Sequence, residues 1–140
     1  MKKIENLEKL MELEKLYKEG KITGAEGKAE DERIHAEMTD AEKWAEVHYE
    51  LTRKYGNDDF VLYDAFRNWI CPETVIAYLY ELGIDRIALA DESTELMKYL
   101  EAFVKNGWVL ETVIKVQVNG RKERTFDWDF KRAAILSRQN

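Results

Sequence analysis

Residues 108–130 read WVLETVIKVQVNGRKERTFDWDF, and this stretch decides the fold class. Trp108, Leu110, Ile114, Val116 and Val118 alternate with Glu111, Lys115 and Gln117, the two-residue period of a half-buried strand. Phe126, Trp128 and Phe130 then alternate with Thr125, Asp127 and Asp129. Between the two runs Asn119-Gly120 signals a hairpin turn. A two-residue loop there sets the apolar rows on opposite faces of the ribbon. A three-residue loop, Val118-Asn119-Gly120 with Gly120 left-handed in a glycine-first bulge, unites them. In that register Gln117 faces Arg121, Thr112 faces Phe126, Leu110 faces Trp128 and Trp108 faces Phe130. Glu111 and Asp127 then point to water.

Upstream of the hairpin, Ile84–Ala90 reads as a short strand centred on Ile87 and Leu89. Asp91, Ser93 or Thr94 can cap the following helix, where Leu96, Met97, Leu100, Phe103 and Val104 form one stripe before Asn106-Gly107. Cys71-Pro72 opens an earlier helix that stops at Gly83, because the residue before proline avoids helical geometry and proline suits the first turn. That helix is apolar on nearly every side and is expected to be the most buried. Asp58 or Asp59 starts a helix carrying Phe60, Leu62, Tyr63, Phe66, Trp69 and Ile70. Thr39-Asp40-Ala41-Glu42 is a capping box before Trp44, Val47, His48, Leu51 and Tyr55, with Gly56 as the stop.

Residues 1–19 read as a charged helical arm bearing Ile4, Leu7, Leu10, Met11, Leu13, Leu16 and Tyr17. Its apolar positions wind around the helix, as they would in an element lying between two bodies. Residues 20–38, with Gly20, Gly24 and Gly27 among many charges, read as a linker. Residues 39–140 then form one α+β domain. The expected order is four N-terminal helices followed by β-α-β-β, with a small sheet of about three strands and helices on one face. If the strand Ile84–Ala90 runs parallel to Trp108–Val118, its crossover should be right-handed. The conformation of residues 132–140 and the strand order stay open.

With 45% hydrophobic residues in 140, the chain has enough apolar material for one core and is no disordered polymer. No apolar run is long enough for a bilayer, the N-terminus lacks a signal-peptide core, and one cysteine makes no internal disulfide. A cytoplasmic location is the expectation. Residues 26–50 hold nine acids against three bases, and residues 107–140 seven bases against four acids. The molecule is therefore acidic in its middle and basic at its end, within a net charge of −6.

No nucleotide-binding glycine motif, zinc spacing or catalytic triad pattern occurs. His48 reads as a buried, hydrogen-bonded core histidine, His35 as a linker residue and Cys71 as a packing residue. No cofactor is expected. The foremost functional expectation is a non-enzymatic protein–protein interaction or regulatory module, inhibitor- or adaptor-like, of a bacterial or mobile-element cytosolic protein. It would act through the arm (Leu7, Leu10, Leu13, Tyr17) or the acidic segment at Glu30, Asp31 and Glu32, and the arm could also pair two copies. One alternative is a nucleic-acid-associated regulator using Arg121, Lys122, Arg124, Lys131 and Arg132. The other is a metal-dependent hydrolase built on Glu111, Asp127 and Asp129.

Overall fold

The structure, a computed structural model, describes residues 3–55, 59–64, 69–90, 94–121 and 123–139, the side chain of Thr94 excepted. Gly56, Asp58, Phe66, Asp91, Ser93 and Lys122, to which the sequence reading gave roles, lie outside the described residues. Three helices come first: α1 (Glu5–Lys18), α2 (Gly24–Glu37) and α3 (Asp40–Lys54). Then follow β1 (Val61–Asp64), α4 (Pro72–Leu82), β2 (Arg86–Ala90), α5 (Thr94–Lys105), β3 (Trp108–Gln117) and β4 (Phe130–Arg138). The class is α+β, with five α-helices and one mixed four-stranded sheet among the described residues, in the order β1-β2-β4-β3. Strands β1 and β2 are parallel, while β4 runs antiparallel to both β2 and β3. Strands β2 and β3 do point the same way, but β4 lies between them.

Several boundaries hold as expected. Thr39 accepts from the Glu42 backbone N–H while Glu42 reaches back to the Thr39 N–H. Pro72 stands in the first turn of α4, and Gly83 closes it in the left-handed region at φ 68°. Three expectations upstream of the hairpin are corrected. The supposed linker contains α2, started by a second capping box at Thr23 and Glu26. Gly20, at φ 73°, ends α1 rather than loosening it, with the Lys21 N–H bonded back to the Leu16 carbonyl. Within 58–70 the described residues form the buried strand β1 and not a helix. Helix α4 buries Val75, Ile76, Leu79 and Leu82 but leaves Tyr80 exposed beneath Arg138, whose guanidinium carbon is 4.2 Å from the ring centroid.

The hairpin is the largest correction. Its return strand is β4, so Trp108 pairs with Arg138 and Gln117 with Phe130. The described residues of 118–121 and 123–129 form a long loop, and Phe126 and Trp128 are exposed rather than in the core. The bulge sits instead at Glu111, between Leu110 and Thr112. There the Arg86 guanidinium donates to Glu111 at 2.8 Å. A bulge and an ion pair on an outer strand discourage edge-to-edge pairing.

The sheet separates two apolar clusters. On one face Val61, Tyr63, Ile87, Leu89, Ala134, Leu136 and Trp108 pack with residues of all five helices. On the other, Phe60, Leu62, Ala88, Ala90, Val116, Val118, Ala133 and Ile135 form a cluster containing no helical residue. Edge strand β1 is tied to α3 by Thr52, whose hydroxyl accepts from the Leu62 N–H at 2.8 Å and donates to the His48 carbonyl.

The 118–129 loop is latched by one buried carboxylate. Asp129, 3% exposed, accepts from the Phe126 N–H at 2.8 Å, and its carbonyl accepts from the Val118 N–H at 2.8 Å. Gly120 lies against this carboxylate at φ 80°, and a Cβ there would stand 2.6 Å from Asp129 Oδ2. Gly120→Ala combines that clash with a left-handed backbone. It is expected to lower stability by about 2 kcal/mol, and urea unfolding monitored by circular dichroism measures it. A neutral substitution would mean that the loop does not close in this way.

Candidate functional site

An open groove lies among the three N-terminal helices. Ile4 and Leu7 enter the main core, and Leu10 and Leu13 pack half-buried against it. Met11 and Tyr17, the latter 57% exposed, are left beyond the core on the same helix. The winding apolar stripe of α1 thus serves two bodies: the core on one side and an open groove on the other. Asn6 donates to Glu42 at 2.8 Å and fixes α1 against α3.

The groove has a volume of about 730 Å³. Leu7, Leu10, Met11, Leu13 and Tyr17 of α1 and Tyr49 of α3 give it apolar walls. Gly24 and Gly27 of α2 also line it, so α2 presents bare backbone there. Its charged lining comprises Glu8, Glu14, Asp31, Glu46 and Glu50 against Lys3, Lys28 and Arg53, five acids to three bases. The lining runs from Lys3 to Tyr17, the whole length of α1, which at 1.5 Å per residue is about 21 Å. That is the shape of a rod-like ligand rather than a compact one.

His35 joins two of these acids. Its Nε2 lies 2.9 Å from Glu46 of α3, while Nδ1 lies 2.9 Å from the Asp31 carbonyl and 3.2 Å from its carboxylate. The Asp31 backbone carbonyl, and then Glu46, hold the imidazolium pKa above its ordinary 6.5. The ring therefore links α2 to α3 at the groove wall, more firmly when it is protonated. Glu30 and Arg33 form a side-chain ion pair on α2, and Glu32 is exposed. Of the seven residues singled out from sequence for partner binding, Leu7, Leu10, Leu13, Tyr17 and Asp31 come together here.

The basic group is split. Arg121, Arg124 and Arg132 are exposed at the hairpin end, whereas Lys131 turns onto Asp64 in an ion pair of 3.2 Å. The acids of the hydrolase alternative are occupied separately: Glu111 by Arg86, Asp129 by its own loop, with Asp127 exposed. Among the described residues no three His, Cys, Asp or Glu side chains converge as metal ligands.

His48 is wholly buried, with Trp44 and Tyr63 rings each 4.8 Å away. Among the described residues neither ring nitrogen makes a hydrogen bond of full geometry, and the Leu62 backbone is the one polar group that acts on the ring. Cys71 is exposed rather than packed, its thiol donating to Glu73 at 2.8 Å. The groove itself was missed in sequence because α2 was. Thr23-x-x-Glu26 was the available signal, a repeat of the capping-box pattern read correctly at Thr39.

No helix among the described residues is long and apolar enough to cross a membrane. No protein-family model, no curated protein and no solved structure matches this chain.

Proposed function

We propose that the chain is a protein-interaction module whose α1–α2–α3 groove receives a basic amphipathic helix of a partner protein. The observation that carries this reading is the groove's form: apolar walls along the full length of α1 under a rim with more acids than bases. A helix laid in such a groove buries one apolar stripe, as in helix-in-groove recognition generally. Its Lys or Arg residues would meet Glu8 and Glu50, which have no ion pair among the described residues, and this complementarity speeds encounter and selects the partner's sign. A second copy of the chain is a poorer occupant. It carries net charge −6, and its own acidic segment would face the acidic rim.

Two labelled probes test the reading by fluorescence anisotropy: a helical Leu/Lys peptide of about four turns and its Leu/Glu counterpart. The basic peptide is expected to bind with micromolar affinity, weakening as salt rises. Tyr17→Ala combined with Met11→Glu should reduce its affinity about tenfold or more, since both side chains are exposed and their loss leaves the core intact. Equal binding of the acidic peptide, or an unaffected double variant, would overturn the proposal. So would a mass that doubles with concentration in wild type and not in Tyr17→Ala, because that assigns the groove to a second copy.

A further inference from the structure

At the far end of the β3–β4 hairpin, the loop 118–129 holds Phe126 and Trp128 stacked in parallel. Their centroids are 4.5 Å apart and their planes differ by 6°. Trp128 is still 70% exposed, so its second ring face is open to water. The Asp129 carboxylate on the Phe126 N–H, seated over Gly120, fixes the backbone on either side of the pair. The aromatic platform is thus set before anything binds, and less ordering is needed at the moment of binding.

Cations stand at the same end of the hairpin. The Arg124 guanidinium carbon lies 5.5 Å from the Phe126 ring centroid, and Arg121 bridges to Arg124 through the backbone. Lys115 and Arg132 stand directly opposite each other across β3 and β4. Among the described residues none of these four side chains has a carboxylate partner, although the protein carries 28 acids. Like charges directly opposed weaken a sheet, and a bound anion would relieve that repulsion. Glu123 and Asp127 are the exposed acids of the described loop residues, beside Arg121 and Arg124 of the loop and Lys115 and Arg132 of the adjoining strands.

An open aromatic face among unpaired cations suits a nucleobase with its phosphates. We propose that this hairpin end binds single-stranded nucleic acid, one base stacking on Trp128 and flanking phosphates meeting Arg121, Arg124, Lys115 and Arg132. A duplex fits poorly, because its bases already stack on one another. The acidic body of the molecule confines the contact to a few nucleotides. This inference is independent of the helical groove, which lies on other elements.

The test is anisotropy of labelled twelve-nucleotide oligo(dT) and oligo(U) with the full chain. Binding is expected at 50 mM salt and should weaken roughly ten- to fiftyfold by 200 mM, as three or four phosphate contacts imply. Trp128→Ala should weaken it about tenfold with an unchanged melting temperature, and Arg121→Gln with Arg124→Gln should flatten the salt dependence. Tyr17→Ala should leave it untouched, which separates this site from the groove. The proposal is overturned by an absence of binding at 50 mM salt, by equal binding of Trp128→Ala, or by duplex competing as well as single strand.

Discussion

Asp64→Ala is expected to lower the unfolding free energy by about 3–5 kcal/mol, the largest effect of any single substitution considered for this protein. Asp64 ends β1 on the sheet face that carries no helix, opposite Ala90, and Ala90 in turn is opposite Ala133. Lys131, two residues before Ala133 on the same face, reaches it at 3.2 Å. The two side chains are only 10% and 2% exposed, lysine and aspartate respectively, beside the cluster of Leu62, Ala88, Ala90, Ala133 and Ile135. Removing the carboxylate takes from a largely buried ammonium the charge it meets at 3.2 Å, and losing that pairing away from water is the penalty. Replacing both groups by apolar ones of similar size, Asp64→Leu with Lys131→Met, should recover most of the loss. Guanidinium unfolding of the three variants is the measurement. An Asp64→Ala protein within 1 kcal/mol of wild type, or a double variant no better than the single, would contradict this account of the pair.

The second large effect is a loss of stability on mild acidification. Burial among Trp44 and Tyr63 lowers the His48 pKa from 6.5 to about 4, with the Leu62 backbone pulling weakly the other way. As pH falls below 6.5 the unfolded chain accepts a proton that the folded chain refuses until about pH 4. Stability therefore declines through this window, by roughly 2 kcal/mol at pH 5 and about 3 kcal/mol in full. His35 acts in the opposite sense. Its raised pKa gives stability that is present below 6.5 and is lost as pH rises through the folded value. Glu14, Glu26, Glu30, Glu73 and Glu95 have lowered pKa values, so their contributions are lost only at lower pH, as it falls from about 4.5. Urea midpoints at pH 7 and pH 5 isolate His48. The decline should vanish in His48→Phe and persist in His35→Gln. A His48 ring that titrates near 6.5 by NMR would remove the basis of the prediction.

Where the sequence was misread, one physical cause recurs. Phe126, Trp128 and Phe130 alternate as a half-buried strand does, yet only Phe130 enters β4 and the other two stand on an exposed loop. The true return strand, Phe130–Arg138, shows no alternation because it lies between β2 and β3 with both faces covered. Ala133, Ala134, Ile135 and Leu136 are consequently all buried in succession. A central strand reads as a short continuous apolar run, which periodicity alone does not separate from other buried segments. β1 was obscured in the same manner, its four residues all buried. Helix α2 was hidden for a different reason. Gly24 and Gly27 weaken its propensity, and it forms on a capping box, the Arg33 pairs with Glu30 and Glu37, and the burial of Ile34.

The amino-acid sequence by itself determined the class, the start of α3, both ends of α4, the extent of β3 and the separation of acidic from basic charge. Those features rest on local rules: caps, proline and glycine geometry, and the two-residue alternation of an edge strand. The tertiary structure alone decided that β4 inserts between β2 and β3, that α2 closes a groove with α1 and α3, and that Asp129 seats on Gly120 to expose Trp128. These depend on contacts between residues distant along the chain, whose energies local patterning does not encode.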